Sequence, residues 1–180
     1  ARAAHDGVVA ALLAQRGFTG SRQVLEAKYG LLELYTRDPR PDRLAGAVDG
    51  HYLVMEDGFK PYPCGSLIHG AIDAALEIAE RNQPEAAQIA EVVARVNPHV
   101  QTTTGRQHPK SGLEAKFSAQ HCMAVVLLQR RGVRSEDFTD SVALAPEVIA
   151  LRDHIRLDPD PGYEKEHATV TVTLTNGIRL

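Results

Sequence analysis

The clearest hydrophobic period in the chain lies between residues 66 and 82. One helix face is apolar there, at Ile68, Ala71, Ile72, Ala75, Leu76 and Ala79. This i, i+3, i+4, i+7 spacing predicts an amphipathic helix with a single buried stripe. Ser66 is the candidate N-cap, and Asn82 and Pro84 are expected to end the helix.

Four further helical segments follow from pattern and capping. Ala3–Gln15 is apolar around most of its circumference, so we expect burial on several sides. A second helix is predicted over Arg22–Tyr35. Ser111 and Glu114 fit a capping box that starts a helix running to Gly132, and a short helix is predicted from residue 146 to 153.

Strands are predicted where apolar and polar residues alternate. The clearest runs over residues 168–175, where threonine occupies every second position, and it is followed by the hairpin dipeptide Asn176-Gly177. Shorter strands are predicted at residues 52–55, 89–96 and 154–157. The pattern indicates an α+β fold in which a small antiparallel sheet packs against helices.

A proline-rich break at residues 38–41 divides the chain into two parts. Two apolar helices make a poor domain by themselves, so we interpret residues 1–42 as the remnant of a helical domain. Residues 43–180 form the predicted α+β domain. The hairpin stops three residues after its turn, and we therefore expect the natural protein to be longer at both ends.

Composition narrows the range of partners. The net charge is −3 and tryptophan is absent, which argues against a nucleic-acid partner. The longest apolar run, residues 122–128, is too short to cross a bilayer. Cys64 and Cys122 form no C-x-x-C pair, and we interpret them as reduced buried thiols of a cytoplasmic protein.

The segment from Lys60 to His69 carries the most promising chemistry. Two prolines stiffen the approach to a helix whose N-terminus favours anions and disfavours an imidazolium. His69 is therefore expected to be neutral and able to accept a proton, while Lys60 can hold a carboxylate as a point charge. The alternative is that His69 is a packing residue and Lys60 a solvated one.

Three strings resemble motifs of the MmgE/PrpD family. Residues 60–75 are similar to its K-P-Y-P-C-x-x-x-x-H-x-A-I-D-A-A signature. Residues 17–26 resemble its G-F-T-G-P-x-x-I-L-E-G stretch, and residues 114–118 its E-A-K-F-S helix start. The motifs occur in the family's order and cover nearly the whole chain.

The resemblance implies a helical domain with an inserted α+β cap, a site between them and a homodimer. It implies a lyase or isomerase of small di- or tricarboxylic acids that needs no metal and no organic cofactor. By similarity, Lys60 would bind a substrate carboxylate, and His69 would line the site and move a proton. Lys116, near the start of the capped helix, is a further candidate for binding a substrate anion, with a solvated lysine as the alternative. Because further family site residues lie upstream, we expect this chain alone not to turn over substrate.

The chain departs from the family pattern at four positions. Gly65 stands where members often carry a larger side chain, Ala27 replaces a glycine, Ser21 replaces a proline and His121 stands where an aromatic residue is common. The Gly65 change motivates an alternative, namely a catalytically silent member with an assembly or carboxylate-binding role.

Other sites find less support in the sequence. The spacings of His99, His108 and His121 fit no zinc pattern. Ser66 lacks the G-x-S-x-G context of a hydrolase. Cys64 beside a helix N-terminus remains a possible nucleophile, with a buried thiol as the alternative.

Overall fold

The computed structural model describes residues 2–44 and 52–180, and the chain divides into two compact units, residues 1–58 and 59–180. The helices of the described residues are α1 (Arg2–Gln15), α2 (Leu31–Tyr35), α3 (His69–Asn82), α4 (Pro98–Thr104), α5 (Gly112–Ala115), α6 (Ala119–Gln129), α7 (Asp140–Ala143) and α8 (Pro146–Arg152). The strands are β1 (Ile89–Val96), β2 (Ile155–Pro159) and β3 (Ala168–Leu174).

In the first unit, α1 forms as predicted, but its side chains are exposed rather than buried. Leu12, for example, is 53% exposed. The predicted helix over residues 22–35 is wrong in its first half, which forms turns. Tyr29 adopts a left-handed backbone with φ 64°, which interrupts a helix, and α2 begins only at Leu31.

The predicted strand at residues 52–55 is also wrong. Leu53–Glu56 forms a 3-10 turn instead, in which the Met55 N–H donates to the Tyr52 carbonyl at 2.8 Å. The local i→i+3 bond satisfies backbone groups that a strand would have to pair with a neighbour.

In the second unit, the α+β class is confirmed. A three-stranded sheet has the order β2-β1-β3, with Val92 of β1 between Ile155 and Val172. β1 and β3 are antiparallel as predicted, but β1 and β2 are parallel. The chain between β1 and β2 passes through α4–α8, and such a crossover returns the strand in the same direction.

The predicted hairpin at Asn176-Gly177 is confirmed. Gly177 has φ 86°, a conformation that glycine adopts readily. The Leu174 N–H donates to the Ile178 carbonyl at 2.8 Å, and Leu180 exchanges two backbone bonds with Val172. The last residues therefore extend the sheet beyond β3.

Helices α3 and α6 pack against each other, and they form the core together with the sheet and α8. The predicted apolar stripe of α3 is confirmed, since Ala71, Ile72, Ala75 and Ala79 are buried. Ser66 is not the N-cap of α3. It begins a 3-10 turn, residues 66–68, that leads directly into the helix.

The single helix predicted after Ser111 is two helices. The Ser111 hydroxyl accepts from the Glu114 N–H at 3.3 Å and starts α5, and Ser118 accepts from the His121 N–H at 3.0 Å and starts α6. The second cap breaks the helix because Ser118 is extended, with φ −122° and ψ 105°. Within residues 2–44 and 52–180, no helix has the length and apolar character needed to cross a membrane.

Candidate functional site

The turn from Lys60 to Gly65 is tied at both ends. Lys60 Nζ donates to the Cys64 carbonyl at 3.3 Å. The Gly65 N–H donates to the Lys116 carbonyl at 3.0 Å, which joins the turn to the end of α5. The prolines at positions 61 and 63 fix φ and limit the turn further. The exposed Lys60 thus has a defined anchor on the turn that leads to His69.

His69 is the first residue of α3, and its ring is partly buried against Tyr62. The two rings meet edge to face, with centroids 5.4 Å apart and an interplanar angle of 85°. Burial, followed by the positive charge of Lys60, lowers the pKa of His69, while Asp73 and the carbonyls of Cys64 and Tyr62 oppose this shift. The structure therefore favours a neutral imidazole, as the sequence predicts.

The positive charges of Lys60 and Lys116 both act on Cys64. It is 6% exposed, and its pKa is lowered by a hydrogen bond from the Cys122 thiol and by the charges of Lys60 and Lys116, against the opposing effect of burial. The pKa of Cys122 is raised by the same thiol contact and by complete burial. Both cysteines are free and buried, as predicted.

Lys116 lies just after α5 and is half-buried. Its Nζ is 5.9 Å from the centroid of the Phe138 ring, a cation–π contact. Its carbonyl holds Gly65 and its charge acts on Cys64. The structure thus places His69 within the field of Lys60, and it joins Lys116 to the same turn through the Gly65 backbone bond.

Tyr62 and Asp73 form a hydrogen-bonded pair next to His69. The Tyr62 hydroxyl donates to Asp73 Oδ1 at 2.6 Å. Burial first, and then this bond, raise the pKa of Tyr62 to about 12, so the phenol stays protonated. The i, i+4 spacing of His69 and Asp73 was readable from the sequence, but the position of Tyr62 was not.

Gly65 is enclosed by neighbouring groups. A Cβ atom there would lie 3.0 Å from Thr104 Cγ2 and 3.6 Å from the Lys116 carbonyl oxygen. The backbone of Gly65 has φ −59°, which any residue can adopt. The fit of Gly65 is therefore steric, since Thr104 occupies space that a larger side chain would need.

The other histidines named from the sequence lie apart from this turn. His121 is completely buried, and its Nε2 is 3.0 Å from the Asp137 carbonyl. His99 and His108 are exposed. In the part of the chain that the structure describes, no group of three or more His, Cys, Asp or Glu is arranged to hold a metal ion.

The chain is similar to proteins of one family along most of its length. Residues 62–180 match the model of the MmgE/PrpD C-terminal domain, and residues 1–44 match that of the MmgE/PrpD N-terminal domain. Cis-aconitate decarboxylase from Homo sapiens is 30% identical over 97% of this chain, and the one from Mus musculus is 28% identical over 97%. The one from Aspergillus terreus is 26% identical over 91%.

The chain spans 38%, 38% and 37% of the lengths of these three relatives. The matched range of the C-terminal domain includes His69 and Lys116, whereas Lys60 lies just before it.

Proposed function

Because the chain belongs to the MmgE/PrpD family, we propose that the protein is a lyase acting on a small di- or tricarboxylic acid such as cis-aconitate. Lys60 and Lys116 bind substrate carboxylates in this proposal, and His69 transfers a proton. The three similar proteins, all cis-aconitate decarboxylases, support the reaction class. The proposal includes the related isomerase reaction, which is epimerisation at a carbon next to a carboxylate.

The observation that carries the proposal is a partly buried imidazole within the field of an ammonium group that is anchored on the Cys64 carbonyl. Decarboxylation, dehydration and epimerisation each leave negative charge on a carbon next to a carboxylate, or on the carboxylate itself. Fixed positive charge lowers the energy of that state. Lys60 supplies such a charge, and the lowered pKa of His69 keeps the ring ready to accept a proton near neutral pH.

Lys116 supplies a second positive charge, which acts on Cys64 as that of Lys60 does. The contact with Phe138 restrains its side chain, and the bond from Gly65 restrains its backbone. Two lysines in fixed relation suit a substrate that carries two or more carboxylates better than one that carries a single group. We propose that the protein requires no cofactor, is a cytoplasmic homodimer and uses a helical domain to complete the site.

The test measures ligand binding to this 180-residue chain, with proton NMR as the method that monitors it. Cis-aconitate, 2-methylcitrate and citrate are titrated separately, and the Cε1–H signal of His69 is assigned with His69→Gln. We expect a saturable shift of that signal with at least one acid and its loss in Lys60→Ala. The matched control is Lys110→Ala, an exposed lysine of the same unit whose charge acts on Glu114.

Turnover is measured in deuterated buffer with a protein of the relatives' full length. Loss of a substrate signal, or its exchange with deuterium, that disappears in Lys60→Ala would support the lyase or isomerase. Saturable binding without turnover at full length would favour the catalytically silent member, for which the enclosed Gly65 is the supporting observation. No binding of any acid would contradict the assignment of Lys60 and His69.

A further inference from the structure

We propose that Tyr62 is a positioning residue for His69, held between Asp73 and Gly132 so that it fixes the imidazole ring and keeps the Asp73 carboxylate away from it. This inference rests on the proposed function, in which His69 transfers the proton. It adds a residue that regulates the protonation of the same site.

The contacts of Tyr62 define its position from two sides. Its hydroxyl donates to Asp73 Oδ1 at 2.6 Å, and its ring meets the His69 ring edge to face. His69 and Asp73 are four residues apart on α3 and therefore share one face of the helix. The tyrosine thus bridges the two titratable groups of that face.

Gly132 provides the third boundary. A Cβ atom at this position would lie 2.7 Å from Tyr62 Cε1 and 3.5 Å from Tyr62 Cδ1, which is closer than such atoms approach one another. The absence of a side chain at Gly132 therefore leaves the space in which the Tyr62 ring lies. Gly132 is distant from Tyr62 in the sequence, and only the fold brings the two together.

The electrostatic consequence concerns Asp73. A carboxylate one helical turn from an imidazole normally stabilises the imidazolium form. The Tyr62 hydroxyl donates a short hydrogen bond to one oxygen of Asp73, and this bond reduces the ability of the carboxylate to pair with His69. The phenol remains a donor throughout the neutral range because its pKa is about 12.

His69 has charged and polar neighbours both on the turn that precedes it and on its own helix. Lys60, Tyr62 and the Cys64 carbonyl face it from the turn, and Asp73 faces it from α3. The charge of Glu80 reaches Tyr62. From the segment before β3, the backbone carbonyl of residue 166 approaches Gly70, the residue after His69.

The experiment measures the pKa of His69 by NMR titration of this chain, which requires no substrate. Tyr62→Phe keeps the ring but frees the Asp73 carboxylate, and we expect the pKa of His69 to rise. Asp73→Asn removes the negative charge, and we expect the pKa to fall. The matched control is Tyr163→Phe, which removes a hydroxyl bonded to Thr169 Oγ1 at 2.8 Å and is expected to leave His69 unchanged.

Gly132→Ala tests the same idea without altering a polar group. The added methyl group displaces the Tyr62 ring. We expect the pKa of His69 to change in the same direction as in Tyr62→Phe. In the protein of full length, Tyr62→Phe is expected to lower kcat by up to about 100-fold with KM unchanged, as displacement of a catalytic group does.

The outcomes separate the two proposals. Unchanged His69 titration in both Tyr62→Phe and Asp73→Asn would overturn the positioning role, as would shifts of the same sign in the two variants. Opposite shifts without binding of any carboxylate would support the positioning of His69 and contradict the proposed substrate class. Asp73 is exposed, so its replacement by asparagine tests the idea even if Tyr62→Phe fails to fold.

Discussion

His69 and His121 both lie in the first turn of a helix, and burial is the main cause that lowers the pKa of each. Their surroundings nevertheless differ. His121 is completely buried, and since a carbonyl only accepts, its Nε2–H must donate to the Asp137 carbonyl. His69 is partly exposed, and the charge of Lys60 acts on its ring. A lowered histidine pKa alone does not identify a site, because the accessibility of the ring and its neighbours decide the role.

The region around His121 is stabilised by an ion pair between a buried carboxylate and the partly exposed Arg131. Asp137 is 2% exposed, and its carboxylate accepts two bonds from Arg131, at 2.8 and 2.9 Å, and one from the Arg134 N–H at 2.7 Å. In the turn around His69, Lys60 donates to a backbone carbonyl and Tyr62 donates to the exposed Asp73. We therefore expect substitutions to affect stability in the first region and ligand binding in the second.

The largest effect is expected for Asp137→Ala. Removing the buried carboxylate loses two bonds from the partly exposed Arg131 and one from the Arg134 N–H. At about 1.5–3 kcal/mol for each bond to a charged group, we expect a loss of about 4–5 kcal/mol of unfolding free energy. Urea denaturation measures the loss. The control is Asp153→Ala, at an exposed carboxylate, which should change stability by less than about 0.5 kcal/mol. Equal effects of the two variants would refute the structural role of Asp137.

The ion pair of Asp137 and Arg131 also makes the stability of the fold depend on pH. Burial raises the pKa of Asp137, but the bonds from Arg131 and Arg134 outweigh it and the net shift is downward. A lowered folded-state pKa gives stability that is present above the unfolded value of about 3.9 and is lost as the pH falls through the folded value. The urea midpoint should therefore fall on acidification below about pH 4, and less so in Asp137→Asn.

The next effect separates the two histidines. His121→Ala leaves a cavity in the core and an unpaired Asp137 carbonyl, and we expect a loss of about 2–4 kcal/mol. His69→Ala is expected to cost less than about 1 kcal/mol while carboxylate binding is lost. Urea denaturation and ligand titration of both variants give the comparison. A His69→Ala variant that unfolds as easily as His121→Ala would favour the packing interpretation of His69.

The smallest effect concerns Gly65. A methyl group at this position would meet Thr104 Cγ2 at 3.0 Å, and overpacking of this kind costs about 1–2 kcal/mol. Thr104→Ser removes that methyl group and keeps the hydroxyl that donates to the Val100 carbonyl at 2.8 Å. The double variant Gly65→Ala/Thr104→Ser should regain most of the lost stability. Purely additive losses would show that the steric explanation is incorrect.

The sequence by itself determined the features that depend on local periodicity and turn chemistry. The structure confirms the apolar stripe of α3, the alternation of β1 and β3, the N-cap at Ser111 and the hairpin at Asn176-Gly177. The resemblance to the MmgE/PrpD family is confirmed as well, since its motifs are short contiguous strings.

The tertiary structure decided what depends on contacts between distant residues. The parallel pairing of β1 with β2 follows from a crossover of more than fifty residues, which local alternation cannot reveal. The break before α6 arose because a second serine cap competed with a continuous helix. The positions of Tyr62 beside His69 and of Gly132 beside Tyr62 depend on side-chain packing, and packing exists only once the chain has folded.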